Sequence, residues 1–119
     1  MLKRALVIDD KSEWREKLVE AFKWEGLDVT SYANGRDILQ DGSLENVAII
    51  IMDANDPDRF KDLSAGIRQT GYKGPIILVT GFPRECFRYP LLEGNGVVYI
   101  EKYKSDFSDM FRMALNHCL

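Results

Sequence analysis

Short apolar runs alternate with longer amphipathic stretches along the whole chain. The amphipathic stretches carry apolar residues three and four positions apart, which is the spacing of one face of a helix. This alternation predicts repeated βα units, in which parallel strands form one central sheet and helices cover its faces. The runs that we predict as strands lie at residues 5–10, 28–33, 47–52, 75–80 and 97–101.

Amphipathic periodicity predicts four helices between and after these strands. Ser12 and Ser105 are candidate N-caps for the first and the last, because a serine hydroxyl accepts a hydrogen bond from a free helix N–H. A short helix is predicted after the Asn-Gly pair at 34–35, and a longer one over residues 57–69. Between the fourth and fifth strands Pro90 removes a backbone donor, so we expect only a short or irregular helix there.

The size and composition of the chain narrow its possible classes. A chain of 119 residues with 45% hydrophobic content predicts one domain, residues 1–119, with a single sizeable core. The charges that give the net charge of −3 are dispersed along the chain. The sequence lacks the basic stripe that is typical of nucleic-acid binding. Cys86 and Cys118 lack the spacing of a metal site, and no apolar run is long enough for a signal peptide or a membrane span. These features predict a cytoplasmic protein that binds neither nucleic acid nor membranes.

Polar side chains stand at the carboxyl ends of four of the five predicted strands. Asp9 and Asp10 end the first strand, Asp53 follows the third, Thr80 ends the fourth and Lys102 follows the fifth. In an open parallel sheet these ends meet at one edge, which is where ligands bind. Three neighbouring carboxylates would repel one another unless a cation lay among them, and oxygen ligands suit Mg²⁺. A lysine and a hydroxyl facing the same cluster could bind the oxygens of a phosphoryl group.

This arrangement resembles the receiver domain of two-component response regulators, and the resemblance covers essentially the whole chain. It implies a three-layer, doubly wound (βα)5 flavodoxin-like fold with a parallel sheet of order 2-1-3-4-5. It also implies a phosphorelay signalling protein and not a turnover enzyme. The expected partners are a sensor histidine kinase or phosphotransfer protein, which supplies the phosphoryl group, and a downstream effector, which binds the switched surface.

The resemblance also implies which residues form a metal-dependent phosphoacceptor site. Asp53 corresponds to the phosphoacceptor. Asp9 and Asp10 correspond to the acidic pair that holds Mg²⁺ together with Asp53, and the backbone carbonyl of Asn55 would complete the protein ligands.

Other positions correspond to the residues that respond to phosphorylation in this family. Thr80 corresponds to the switch hydroxyl, Lys102 to the lysine that pairs with the acyl phosphate, and Tyr99 to the aromatic switch residue. The side chains of Asn55 and Phe82 correspond to those that flank the approach of water to the phosphorus. Since an apolar ring cannot orient a water, Phe82 is expected to lengthen the lifetime of the acyl phosphate.

Three positions depart from the family pattern around this site. Lys61 stands where glycine is usual, Gly81 follows the switch threonine in place of alanine, and Tyr103 follows the lysine in place of proline. These changes keep a second hypothesis open, a pseudo-receiver that acts as a phosphorylation-independent interaction module. A third, a haloacid-dehalogenase-like phosphohydrolase, is disfavoured because it would need an acid where this chain has Asn55.

Each of these side chains also has an ordinary structural explanation when it is considered alone. The aspartates could be helix-cap or turn residues, the lysine a solvated side chain and the threonine a common strand residue. Their joint placement at one sheet edge favours the functional interpretation. Helical spacing elsewhere predicts packing, and not a cofactor site, for Trp14, Trp24, Met110 and Met113.

Overall fold

The computed structural model describes residues 3–41, 44–54, 57–86 and 96–119. These form one parallel sheet of five strands in the order β2-β1-β3-β4-β5, which confirms the predicted fold class and strand order. All five predicted strands are present, and their bounds lie within two residues of those predicted. The strands are β1 (Arg4–Ile8), β2 (Asp28–Tyr32), β3 (Val47–Asp53), β4 (Ile76–Thr80) and β5 (Val97–Glu101).

Helices cover both faces of the sheet and give the fold three layers. Side chains of α2 and α3 pack on one face, and those of α1 and α4 pack on the other. The third helix has the bounds predicted from its periodicity. The helices are α1 (Ser12–Trp24), α2 (Arg36–Asp41), α3 (Pro57–Gln69) and α4 (Phe107–Cys118), with a 3₁₀ turn at Arg84–Cys86.

The unbroken apolar runs of β3 and β4 are explained by burial on both faces of the sheet. Successive strand residues point to opposite faces, so Ile50 and Met52 join the core under α2 and α3, whereas Ile49 and Ile51 join the core under α1 and α4. Every residue of β4 is buried. The central strands are therefore held from both sides, and their carboxyl ends are fixed relative to each other.

Both predicted serine caps are wrong. Ser12 is already the first helical residue, and Lys11, with extended backbone, occupies the N-cap position of α1. At the other helix, a turn closed by a hydrogen bond from Phe107 N to Lys104 O comes first, and Asp106 becomes the N-cap. Neither cap residue makes a side-chain cap hydrogen bond. A shift of one residue in where each helix begins was enough to displace both serines from the cap position.

The predicted packing of several large helical side chains is also wrong. Trp24 is 87% exposed and Met113 is 64% exposed, and Met110 is exposed as well. The buried residues of α1 are Leu18 and Phe22. Trp24 lies two positions beyond Phe22, which places it about 200° around the helix axis, away from the sheet.

The irregular helix predicted between β4 and β5 is only partly covered by the described residues. Its first residues form the 3₁₀ turn at Arg84–Cys86. Residues 87–95, including Pro90, lie outside the described part of the chain. None of the helices within that part is long and apolar enough to cross a lipid bilayer.

Candidate functional site

The carboxylates predicted at the strand ends form one cluster. Ligand oxygens of Asp9, Asp10 and Asp53 all lie within 4.8 Å of one another. The cause is the register of the parallel sheet, in which Ile8 of β1 lies beside Met52 of β3, so the next residues of both strands emerge at the same level. The structure therefore brings Asp53 together with the adjacent pair Asp9 and Asp10, which is distant from it in the sequence.

Lys102 lies between two of these acids, and all three side chains are almost completely buried. Its Nζ atom is 3.0 Å from Asp9 Oδ2 and 3.4 Å from Asp53 Oδ1. The three side chains are only 2%, 0% and 3% exposed. These two oxygens accept no well-aligned hydrogen bond from any group in the described part of the chain, so the ammonium balances their charge mainly through the electric field. Buried charges of this kind need such a partner to be tolerated.

The surroundings of Asp53 make its ionised form unfavourable. Burial raises the pKa of Asp53 above the ordinary carboxyl value. The ammonium of Lys102 opposes this shift, whereas the carboxylates of Asp9 and Asp10 add to it. The cluster therefore holds more negative charge than one lysine balances, and a further cation among these oxygens would favour the ionised state.

Asp9 and Asp10 differ in how tightly the fold holds them. Asp9 is buried, its Oδ1 accepts a hydrogen bond of 2.9 Å from Lys11 N, and its backbone oxygen accepts one of 2.8 Å from Arg15 Nη1. Asp10 is exposed. One acid of the pair is thus fixed within the protein, while the other faces solvent at the mouth of the cluster.

The donor set of this cluster fits Mg²⁺. All three described side chains offer carboxylate oxygens, and the exposure of Asp10 leaves room for water ligands, which Mg²⁺ usually retains. Oxygen donors are typical of Mg²⁺, Ca²⁺ and Mn²⁺ and atypical of zinc. Asn55, predicted as a further ligand through its carbonyl, lies outside the described residues.

The buried hydroxyl of Thr80 connects the ends of two neighbouring strands. It donates a hydrogen bond of 2.8 Å to the carbonyl of Ala54, the residue after Asp53, and accepts one of 3.2 Å from Phe82 N. The backbone of Thr80 also pairs with Lys102, whose N–H donates to Thr80 O at 2.7 Å. The predicted switch hydroxyl is thus adjacent to the acceptor strand and is already engaged with it.

We predict that Thr80→Val lowers the free energy of unfolding by about 1–3 kcal/mol, since the isosteric side chain leaves the Ala54 carbonyl and the Phe82 amide without this partner. Urea denaturation followed by circular dichroism measures the change. Thr30→Val on the edge strand β2 is the matched control and should change stability by less than about 0.5 kcal/mol. Equal stability of the Thr80 variant and the wild type would contradict the importance of these two bonds.

Tyr99 and Phe82 meet at the loop after β4. The hydroxyl of Tyr99 donates a hydrogen bond to the backbone oxygen of Phe82, and the side chain of Phe82 is exposed. This bond joins β5 to the loop that follows Thr80. The structure therefore links the predicted aromatic switch residue to the predicted switch loop, and the roles themselves stay predictions.

Two aromatic residues next to the cluster were missed as site residues. The Nζ atom of Lys102 lies 4.9 Å from the centroid of the Trp14 ring, and Tyr103 packs edge-on against the same indole. Helical spacing predicts packing for Trp14, and Tyr103 differs from the family pattern only by replacing proline, so neither pattern indicates a site residue. A contact between the first helix and the last loop has no local sequence signature.

Comparison with known proteins shows similarity in structure and not in sequence. No family model matches the chain, and no curated protein matches it. The chemotaxis response regulator CheY4 of Vibrio cholerae superposes with a TM-score of 0.77 at 22% identity over 100% of both chains. TrrA of Thermotoga maritima, in complex with Mg²⁺-BeF, has a TM-score of 0.76 at 24% identity over 99% of this chain and 100% of its own.

A third similar structure, a CheY-like receiver domain from Methylobacillus flagellatus, has a TM-score of 0.74 at 20% identity over 100% of both chains. All three alignments cover essentially the complete chain of each protein, so the likeness extends to the whole fold. The strand order and the two helical layers described above agree with it. The protein therefore has the flavodoxin-like fold of the CheY-like response regulator receiver domains.

Proposed function

We propose that this protein is a phosphoacceptor receiver, in which Asp53 takes a phosphoryl group from a phosphohistidine of a sensor kinase or phosphotransfer protein. One observation supports this function above all others, namely the ammonium of Lys102 between the carboxylates of Asp9 and Asp53. This arrangement combines a carboxylate nucleophile with a cation that is able to bind phosphoryl oxygens. We propose that residues 1–119 act as one receiver domain in the cytoplasm.

The proposed reaction is an in-line displacement at phosphorus. An oxygen of Asp53 attacks the phosphorus, the bond to the histidine nitrogen breaks, and the imidazole leaves with that electron pair. Lys102 exchanges its contact with Asp53 for a contact with a phosphoryl oxygen. Its ammonium then neutralises part of the negative charge on that oxygen. Mg²⁺, when bound by Asp9, Asp10, Asp53 and Asn55, supplies further charge neutralisation for the phosphoryl oxygens.

The proposed signal is a rearrangement of the loop after β4. To reach a phosphoryl oxygen, the hydroxyl of Thr80 has to give up its hydrogen bond to Ala54 O. The same hydroxyl also accepts a hydrogen bond from Phe82 N, and Phe82 O accepts one from the hydroxyl of Tyr99. Movement of the Thr80 hydroxyl therefore disturbs both of these hydrogen bonds. A downstream effector would recognise the altered surface, which makes the protein a switch and not a turnover enzyme.

Incubation with acetyl phosphate and Mg²⁺, followed by intact mass spectrometry and a phosphate-release assay, tests this function. A stable adduct of one phosphoryl group is the expected result. Continuous release of phosphate without an adduct would instead indicate a phosphohydrolase. No reaction, with acetyl phosphate or with a phosphorylated histidine phosphotransfer domain, would indicate a pseudo-receiver.

We expect Asp10→Ala to weaken Mg²⁺ binding by about tenfold or more, since the exposed carboxylate is a ligand available to a hydrated ion. Isothermal titration calorimetry with MgCl₂ measures the affinity. Asp28→Ala is the matched control, because Asp28 is also an exposed acid but lies at the opposite end of the sheet, where it begins β2. An unchanged midpoint in the Asp10 variant would refute this placement of the ion.

A further inference from the structure

The indole of Trp14 lies beside the ammonium of Lys102, which also contacts the two buried acids. The Nζ atom of Lys102 lies 4.9 Å from the ring centroid of Trp14, within the range of a cation–π contact. Phe107 and Tyr103 hold this ring in edge-on geometry, with centroids 5.1 Å and 5.8 Å from it and interplanar angles of 82° in both pairs. Trp14 is therefore fixed between the buried lysine and two supporting aromatic rings.

Two contacts hold Tyr103 in place, although this residue is 65% exposed. Its hydroxyl accepts a hydrogen bond of 3.3 Å from Lys11 Nζ. Its ring lies directly over Gly81, where an added Cβ would stand only 2.8 Å from Tyr103 Cε2. The ring thus contacts the loop after β4 and the loop after β1, and the two unusual residues at positions 81 and 103 form a single packing arrangement.

We propose that Trp14 is a positioning residue for Lys102, with Tyr103 as its support. A lysine side chain has four flexible carbons and loses considerable rotamer freedom when it is fixed in one place. The indole face attracts the ammonium and limits its movement, so Nζ stays within reach of the acceptor after its contact with Asp53 is exchanged for a phosphoryl oxygen. This role rests on the proposed function, in which Lys102 assists phosphoryl transfer.

The contact itself is tested without any phosphoryl chemistry. In a Trp24→Phe background Trp14 is the only remaining tryptophan, so its fluorescence can be measured alone. Under conditions where circular dichroism shows the variant to be folded, Lys102→Met should shift its emission maximum, because the nearby positive charge is removed. Lys104→Met is the matched control, since Lys104 is exposed and paired with Glu101, and it should leave the spectrum unchanged. A spectrum unaffected by the Lys102 change would overturn the proposal.

The positioning role is tested by the kinetics of labelling with acetyl phosphate at saturating MgCl₂. Trp14→Leu should lower the limiting rate by about tenfold, which corresponds to loss of a desolvated cation–π contact. The midpoint of Mg²⁺ binding should not change, because the indole supplies no ligand to the ion. Trp14→Phe should recover part of the rate, since a benzene ring keeps a weaker cation–π attraction. A full limiting rate in Trp14→Leu would overturn the proposal.

Lys17→Met is the control for the loss of any cation near this ring, because the exposed Lys17 Nζ lies 5.3 Å from the same centroid. It should label at the wild-type rate. If Trp14→Leu fails to fold, Tyr103→Ala and Gly81→Ala keep the proposal testable. Both should slow labelling, and the double variant should be no slower than the slower single one, because the two changes disturb one packing arrangement. Additive effects would contradict that coupling.

Failure of the proposed function remains distinguishable from failure of this inference. A wild type that takes up no label would refute phosphoacceptor activity, and the fluorescence comparison would then decide the Trp14–Lys102 contact by itself. A labelled wild type with an unresponsive Trp14 spectrum would leave the function intact and refute the positioning role.

Discussion

Asp53→Asn should take up no phosphoryl group from acetyl phosphate under conditions that label the wild type completely. A neutral amide is a far weaker nucleophile than a carboxylate, and the variant loses the negative charge that faces Lys102 at 3.4 Å. Intact mass spectrometry after incubation with Mg²⁺ measures the result. Asp58→Asn is the matched control, because Asp58 is an exposed acid in the first turn of α3, and it should label like the wild type.

Loss of labelling in this variant should not arise from unfolding. Burial raises the pKa of Asp53, and a group whose pKa is raised on folding stabilises the fold only at low pH, an advantage that is lost as the pH rises through its folded-state pKa. The amide should therefore raise the thermal midpoint Tm at pH 7, and the difference should vanish below about pH 4, where an unfolded aspartate is also protonated. Equal labelling of the variant at another residue would show that Asp53 is not the acceptor.

Lys102→Met should lower the free energy of unfolding by about 3 kcal/mol or more at neutral pH. Methionine fills a similar volume but leaves the carboxylates of Asp9 and Asp53 facing each other in a buried cluster without their common counter-ion. Labelling by acetyl phosphate should also become at least about 100-fold slower, since the cation that would meet the phosphoryl oxygens is lost. Urea denaturation and labelling kinetics measure the two effects.

The pH dependence and a second substitution separate this electrostatic cause from a packing defect. Without the ammonium the pKa of Asp53 rises further, so the stability lost at pH 7 should return as the pH falls and the acids become neutral. Asp53→Asn in the Lys102→Met background should restore part of the stability at pH 7. Lys104→Met should have an effect below about 0.5 kcal/mol, as expected for an exposed pair. A loss of stability independent of pH would refute the electrostatic explanation.

The strands and helices of this fold could be predicted because the burial of their side chains determines the local pattern of apolar residues. The run IILVT of β4 is buried at every position, and the helical periodicity of α3 gave its bounds correctly. Features that depend on a single residue were less predictable. Ser12 lies one position inside α1, and Trp24 lies on the outer face of the same helix, because a hydropathy pattern fixes an element to within a residue or two and not its exact phase.

The sequence alone determined that acids, a hydroxyl and a lysine would meet at one edge, because the carboxyl ends of parallel strands share that edge whatever else the chain does. Only the tertiary structure decided the distances, the burial of Lys102 between Asp9 and Asp53, and the bond from Thr80 to a residue 26 positions away. It alone also revealed the aromatic support, since Lys11 and Tyr103 are 92 residues apart. Contacts between loops depend on how the layers pack, and periodicity within a strand or helix carries no information about them.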